Sequence, residues 1–208
     1  MRLSRRPSVV SGHGPSLATS SRLTVDAALV LVRVVGATSA DLPELHEQVG
    51  DLSRTTDRLG EELTDRLVGD LVLPFERGDL HRVLTAERRV VHGLLRVART
   101  LLADRSAPTS RPVVAAADEV LRATELLVVA TAALRTPERL SDIARETARV
   151  RDDLEEARAR ALRSASTSPD RASAARPDHV LGAFADIVSD CADLVVDLRI
   201  LAAGAGRR

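Results

Sequence analysis

Residues 41–70, DLPELHEQVGDLSRTTDRLGEELTDRLVGD, decide the fold. Leu45, Val49, Leu52, Thr56, Leu59, Leu63 and Leu67 recur at steps of mostly four and three. That is the repeat of a helix packed along one seam. A strand would need alternation at every second residue, which this stretch lacks. Asp41 can cap free amides, Pro43 fits a first turn, and Glu44 sits where a capping box needs an acid. The pattern predicts a helix over about 42–70, stopped by Pro74.

Working outward, the same logic predicts five more helices. One covers about 16–36, with Leu29, Val32 and Val35/Gly36 on one face. One covers about 75–103, with Leu80, Val83/Leu84, Val90/Val91, Leu94/Leu95 and Leu101/Leu102. A third covers about 113–134, is poor in charge in its second half, and is expected to be the most buried. A fourth restarts at Thr136-Pro137-Glu138 and carries Leu140, Ile143, Thr147, Val150, Leu154, Ala157 and Ala161 in strict three-four alternation. The last covers about 178–203, with Leu181, Phe184, Ile187/Val188, Cys191, Leu194/Val195, Leu198 and Leu201.

Residues 104–112, with Ser106, Pro108, Ser110 and Pro112, read as a loop. Residues 164–177, rich in Ser, Ala and Arg, read as a mobile linker. The domain reading is a disordered tail at 1–15, a single bundle at 16–203 and a short basic tail at 204–208. The fold class is all-α: a six-helix antiparallel bundle in two three-helix halves divided at the loop. Each half holds one heptad-patterned helix, in differing order, without a clear sequence repeat.

Composition agrees. The apolar residues are almost all Ala, Leu and Val, and Phe75 and Phe184 are the only aromatics. Ala and Leu are strong helix formers, whereas sheet cores draw on aromatic and β-branched residues. Every basic residue is Arg, and the 30 bases balance 30 acids. The signs are interspersed, and no aromatic stacking platform exists, so nucleic acid is not the expected partner. The apolar run 126–134 falls short of the roughly 20 residues that span a bilayer, so direct membrane insertion is not expected. The N-terminus has Arg2, Arg5 and Arg6 but no apolar stretch of a secretory signal. Cys191 is the single cysteine, which excludes an internal disulfide and suits a reducing cytoplasm. Its apolar helix face makes it a buried thiol rather than a nucleophile.

Residues 57–83, DRLGEELTDRLVGDLVLPFERGDLHRV, carry a resemblance to the PhoU-like phosphate transport regulators. In that family an acid-rich helix leads through a short apolar stretch into Pro-Phe-Asp-Arg-Glu-Asp-Ile-His. Here the run is Pro74-Phe75-Glu76-Arg77-Gly78-Asp79-Leu80-His81. The distance back to Asp57 matches the family's motif aspartate. The stretch 186–194, DIVSDCADL, resembles the family's last-helix pattern.

The resemblance implies a PhoU-like bundle and a cytoplasmic accessory protein of inorganic phosphate transport. Its partner would be a phosphate transporter or its regulators, and self-association into a homo-oligomer stays open. Phe75, Arg77 and Asp79 form the corner that would bind the partner. The same residues also make a well-built helix corner without any partner: Pro74 ends one helix, Phe75 packs over the turn, and Glu76 and Asp79 suit the positive end of the next.

Family members hold iron or zinc between acids spaced at i and i+4 on facing helices. That spacing puts two carboxylates on one face, within reach of one hard cation. Here the motif is eroded to Asp57, Asp186 and Asp190. Ser53 stands four residues before Asp57, Arg88 and His92 stand near the acids expected on the third helix, and Ala192 replaces a following Glu. A guanidinium has no lone pair for a metal. Arg88 and Arg89 are instead expected to pair with Asp57, Asp186 or Asp190, bridging helices where metal does so in the family. His46, His81 and His92 lack ligand spacing with one another. No phosphate loop and no nucleophile–base pair is present, so an enzyme is not expected. The alternative reading is a metal-binding bundle with a degenerate multinuclear site.

Overall fold

The computed structural model describes residues 14–69, 75–103, 110–166 and 171–205. All its elements are helical: α1 (Gly14–Gly36), α2 (Leu42–Gly69), α3 (Arg77–Ala103), α4 (Arg111–Ala132), α5 (Pro137–Ser166) and α6 (Arg171–Ala205), with a single 3-10 turn, Ser39–Asp41, before α2. Among the described residues no strand forms. The N-terminal tail to residue 13, the stop at Pro74, the centre of the 104–112 loop and the last three residues lie outside the described part.

Local chemistry sets the ends. Asp41 Oδ2 accepts from Thr38 N (2.8 Å) and from Thr38 Oγ1 (2.7 Å), which closes the 3-10 turn onto Leu42. Ser110 has the extended backbone of a residue preceding a helix, and Pro112 falls in the first turn of α4, where a missing N–H costs nothing. The 104–112 stretch is therefore shorter than its Pro and Ser content suggests.

The linker expected at 164–177 is corrected more strongly. α5 runs to Ser166, and the backbone is helical again from Arg171 through Pro177. Ala and Arg in this stretch are good helix formers and outweigh Ser and Pro.

Helix contacts divide the bundle into two triangles. α1, α2 and α3 touch one another, as do α4, α5 and α6, and the triangles join through α1 on α4 and α3 on α6. This is the two-halves architecture expected at the sequence level. The order within the halves is the same, not different: in each, the heptad-patterned helix is the middle one and lies outermost. Among the described α-helices, α2 touches only α1 and α3, and α5 only α4 and α6.

The seams of α2, α5 and α6 bury the expected residues, among them Leu45, Val49, Leu63 and Leu67 on α2, Leu140, Val150 and Leu154 on α5, and Phe184, Cys191 and Leu198 on α6. Thr56 and Thr147 sit in these seams because each hydroxyl donates to the carbonyl one turn back, at 2.8 Å to Leu52 and 2.9 Å to Ile143.

α1 presents the expected face only in part. Val35 is buried and Val32 half-buried, but Leu29 and Gly36 are exposed. Ser20, Ser21, Thr24, Ala27, Ala28 and Leu31 point inward instead. The small inward side chains let α3 and α4 approach closely, and the hydroxyls find partners inside. α4 is not the most buried helix. Val114 and Val129 face outward beside the exposed Asp118, Arg122 and Glu125, and α3 buries more of its length.

Candidate functional site

The eroded motif maps onto α3 and its two flanking helices. Arg88 and His92, one turn apart, face α2, and both reach Asp57: Arg88 Nη2 lies 3.6 Å and His92 Nε2 3.2 Å from Asp57 Oδ1. Arg89, one residue on, faces α6, where its Nε lies 3.0 Å from Asp190 Oδ1. Asp186 is exposed. Burial raises the pKa of Asp190, and the Arg89 charge only partly offsets this; Asp193 and Asp186 add to the rise.

The ion pairing expected for Arg88 and Arg89 is thus present on Asp57 and Asp190, and it links α3 to α2 and to α6. All these groups are at least partly exposed, so each pair contributes under about 1 kcal/mol.

The donor set does not fit a multinuclear metal cluster. Asp57 and Asp190 are each held by a cation of α3, and among the described residues no three His, Cys, Asp or Glu side chains converge as ligands. Cys191 is fully buried, and burial pushes its thiol far up, which suits a core residue and not a ligand or nucleophile.

One residue that holds the pairing in place was not singled out from the sequence. Gly60 of α2 is buried beneath the Arg88 side chain: a Cβ there would meet Arg88 Nε at 2.7 Å and Cδ at 2.8 Å. Arg88 crosses α2 through this gap to reach Asp57. In Gly60→Ala, better helix propensity by about 1 kcal/mol opposes the displacement of Arg88. Stability should therefore change by less than about 1 kcal/mol. The coupling between Arg88 and Asp57 in a double-mutant cycle should vanish in the Gly60→Ala background. A coupling that persists there would mean Arg88 reaches Asp57 by another route.

The corner residues differ from one another in role. Phe75 is half-buried and packs against the core. Asp79 accepts from Arg82 at 3.1 Å, and Arg82 in turn reaches Asp197 of α6 at 3.8 Å, so Asp79 helps tie α3 to α6. Arg77, the first residue of α3, is exposed.

A second polar group escaped the sequence reading. Glu87 of α3 is 1% exposed, in the middle of the apolar stripe between Leu84 and Val90. Burial pushes its carboxyl up to about 7, against a smaller opposite pull from the Ser20 and Ser21 hydroxyls of α1.

The fold is an all-helical bundle of the PhoU-like type. Two crystal structures from Shewanella oneidensis MR-1 share it. One is of a PhoU-like protein, with 15% identity and a TM-score of 0.76. The other is of a candidate PhoU-like phosphate regulatory protein, with 16% identity and a TM-score of 0.75. Each alignment covers 91% of this chain and 98% of the other. No protein-family model and no curated protein matches the chain. This chain has the PhoU-like fold over nearly its whole length. Among the described residues no helix is long and apolar enough to cross a membrane.

Proposed function

We propose that this chain is a cytoplasmic accessory protein of inorganic phosphate transport that works by helix-face binding to a protein partner and not by catalysis. The observation that carries the reading is the fold likeness across 91% of the chain to a protein described as a candidate phosphate regulator. The corner motif at Phe75, Arg77 and Asp79 supports the same reading. The partner is a phosphate transporter or one of its regulators.

The exposed Arg77 is the corner residue best placed to meet that partner. Arg77→Glu should change stability by under about 1 kcal/mol, because it alters a surface charge. It should weaken co-purification with a membrane phosphate transporter by reversing a charge at the interface. Phe75→Ala should cost about 1–3 kcal/mol, less than a fully buried ring, because the side chain is only half-buried. Normal association by a folded Arg77→Glu protein would remove the corner from the binding surface. Unchanged phosphate uptake on deletion of the gene would sink the functional reading as a whole.

The ion pairs on Asp57 and Asp190 take the structural place that iron or zinc holds in the metal-binding reading. Purified protein should carry less than about one equivalent of iron or zinc per chain, and chelation should leave its melting unchanged. Two or more tightly held ions in elemental analysis would restore the metal-binding alternative, with Asp57, Asp186 and Asp190 as ligands.

A further inference from the structure

Glu87 sits in a chain of hydrogen bonds that crosses three helices. Ser21 Oγ of α1 lies 2.6 Å from Glu87 Oε1 and 2.7 Å from Thr131 Oγ1 of α4, and Thr131 Oγ1 donates to the Leu127 carbonyl at 2.9 Å. The chain holds three bonds, but Ser21 and Thr131 bring only two hydroxyl hydrogens. If Glu87 is ionised, Ser21 donates to it and Thr131 cannot serve both Ser21 and Leu127. If Glu87 is protonated, its O–H donates to Ser21, Ser21 donates to Thr131 and Thr131 donates to Leu127. Every bond then has its hydrogen.

The other carboxyl oxygen points the same way. Glu87 Oε2 is buried and has no hydrogen-bond partner. An unpartnered neutral carbonyl oxygen is far cheaper to bury than an unpartnered half of an anion. Among the described residues no cation pairs with it either. From α1 it meets Ser20 and Ser21, while Arg22 and Asp26 of that helix are exposed. Asp57 of α2 is engaged with Arg88 and His92, and Asp190 of α6 with Arg89. From α4 the nearest contribution comes through Thr131.

We propose that the Glu87–Ser21–Thr131 relay is a proton-operated latch that ties α1 to α3 and α4 when Glu87 is protonated and releases α1 when it is not. α1 is the side that gives way, because the direct partners of Glu87 lie on it. Its inner face at this level is Ser20, Ser21, Thr24 and Ala27, and its larger apolar anchors, Leu17 and Leu31, lie to either side of the relay. The proposal stands apart from the transport reading and rests on none of its residues.

Amide hydrogen exchange tests it on the intact protein. Protection of α1 and α6 amides is measured at about pH 6 and about pH 8, corrected for intrinsic rates. α1 should lose about tenfold more protection than α6 over this interval, the factor by which ionisation of Glu87 favours the opened state. In Glu87→Gln the two helices should respond alike. Equal loss in the wild-type protein, or a differential loss that survives in Glu87→Gln, would overturn the latch. Difference infrared spectroscopy of the wild-type protein gives a second readout that needs no variant. A protonated-carboxyl stretch should be present at about pH 6 and fade by about pH 8. Its absence at pH 6 would also overturn the proposal.

Discussion

Phe184→Ala lowers the free energy of unfolding by about 3–5 kcal/mol. Phe184 is 0% exposed and is the largest of the fully buried side chains. It sits on α6, the one helix that touches α3, α4 and α5 together. The surrounding core is built from Leu, Val and Ala, whose short side chains have little reach to refill a ring-sized void. The loss therefore combines the transfer free energy of the ring with a cavity that does not collapse. Domains of this kind are stable by about 5–15 kcal/mol in total, so the variant should be marginal at physiological temperature. Urea unfolding of both proteins measures the difference. A loss under about 1 kcal/mol would mean that the α6 core repacks and that the ring is not held as the structure places it.

The parts of the fold that were legible in the sequence are those where one side of a helix is charged. α2 and α5 have strongly polar outer faces, so their apolar seams stand out; α6 buries its expected seam as well, although Val196 and Ile200 face outward. On α1 and α4 the apolar residues spread beyond the covered face, as the exposed Leu29 of α1 and the exposed Val114 and Val129 of α4 show, so hydrophobicity alone does not tell which face is covered. On α1 the larger Leu29 drew attention, yet the small and hydroxyl-bearing face goes inward, because close helix approach favours Ser21, Thr24 and Ala28. The equivalence of the two halves, each with its heptad helix outermost, rests on contacts between helices that no single helix encodes.

The site was legible in its chemistry but not in its supports. That a guanidinium cannot ligate a metal and must seek a carboxylate follows from residue type alone, and Arg88 and Arg89 are found on Asp57 and Asp190. Which acid each would choose required the geometry: neighbours in sequence point to opposite sides of α3. Gly60 carried no signal by itself, since its role depends on a side chain that crosses from another helix. Glu87 did carry one. The stripe Leu80, Val83/Leu84, Val90/Val91 has a turn between its second and third members, and the inward position in that turn is an acid. A break of that kind in an apolar stripe marks a buried carboxyl or a misread face, and here it is the former.

Wild-type stability should therefore carry a pH dependence that belongs to Glu87. Burial pushes its folded pKa up to about 7, against an ordinary value of 4.5. The folded protein holds the proton more tightly than the unfolded chain does. The stabilising contribution is therefore full below the unfolded value, near 4.5, and is lost as pH rises through about 7. The shift corresponds to about 3 kcal/mol in all. Asp190, also raised by burial, adds a smaller change of the same sign, so the wild-type curve alone does not isolate Glu87. The difference between wild-type and Glu87→Gln does. The amide is neutral at every pH and keeps an oxygen to accept from Ser21, although its NH2 group inherits the position that lacks a partner. Glu87→Gln should thus be destabilised at about pH 5, and that deficit should shrink or reverse by about 2–3 kcal/mol on going to about pH 8. Urea unfolding of both proteins at the two pH values gives the four free energies needed. A wild-type-minus-variant difference that does not change with pH would mean that Glu87 titrates alike in the folded and unfolded chain, and that the buried relay exerts no hold on its proton.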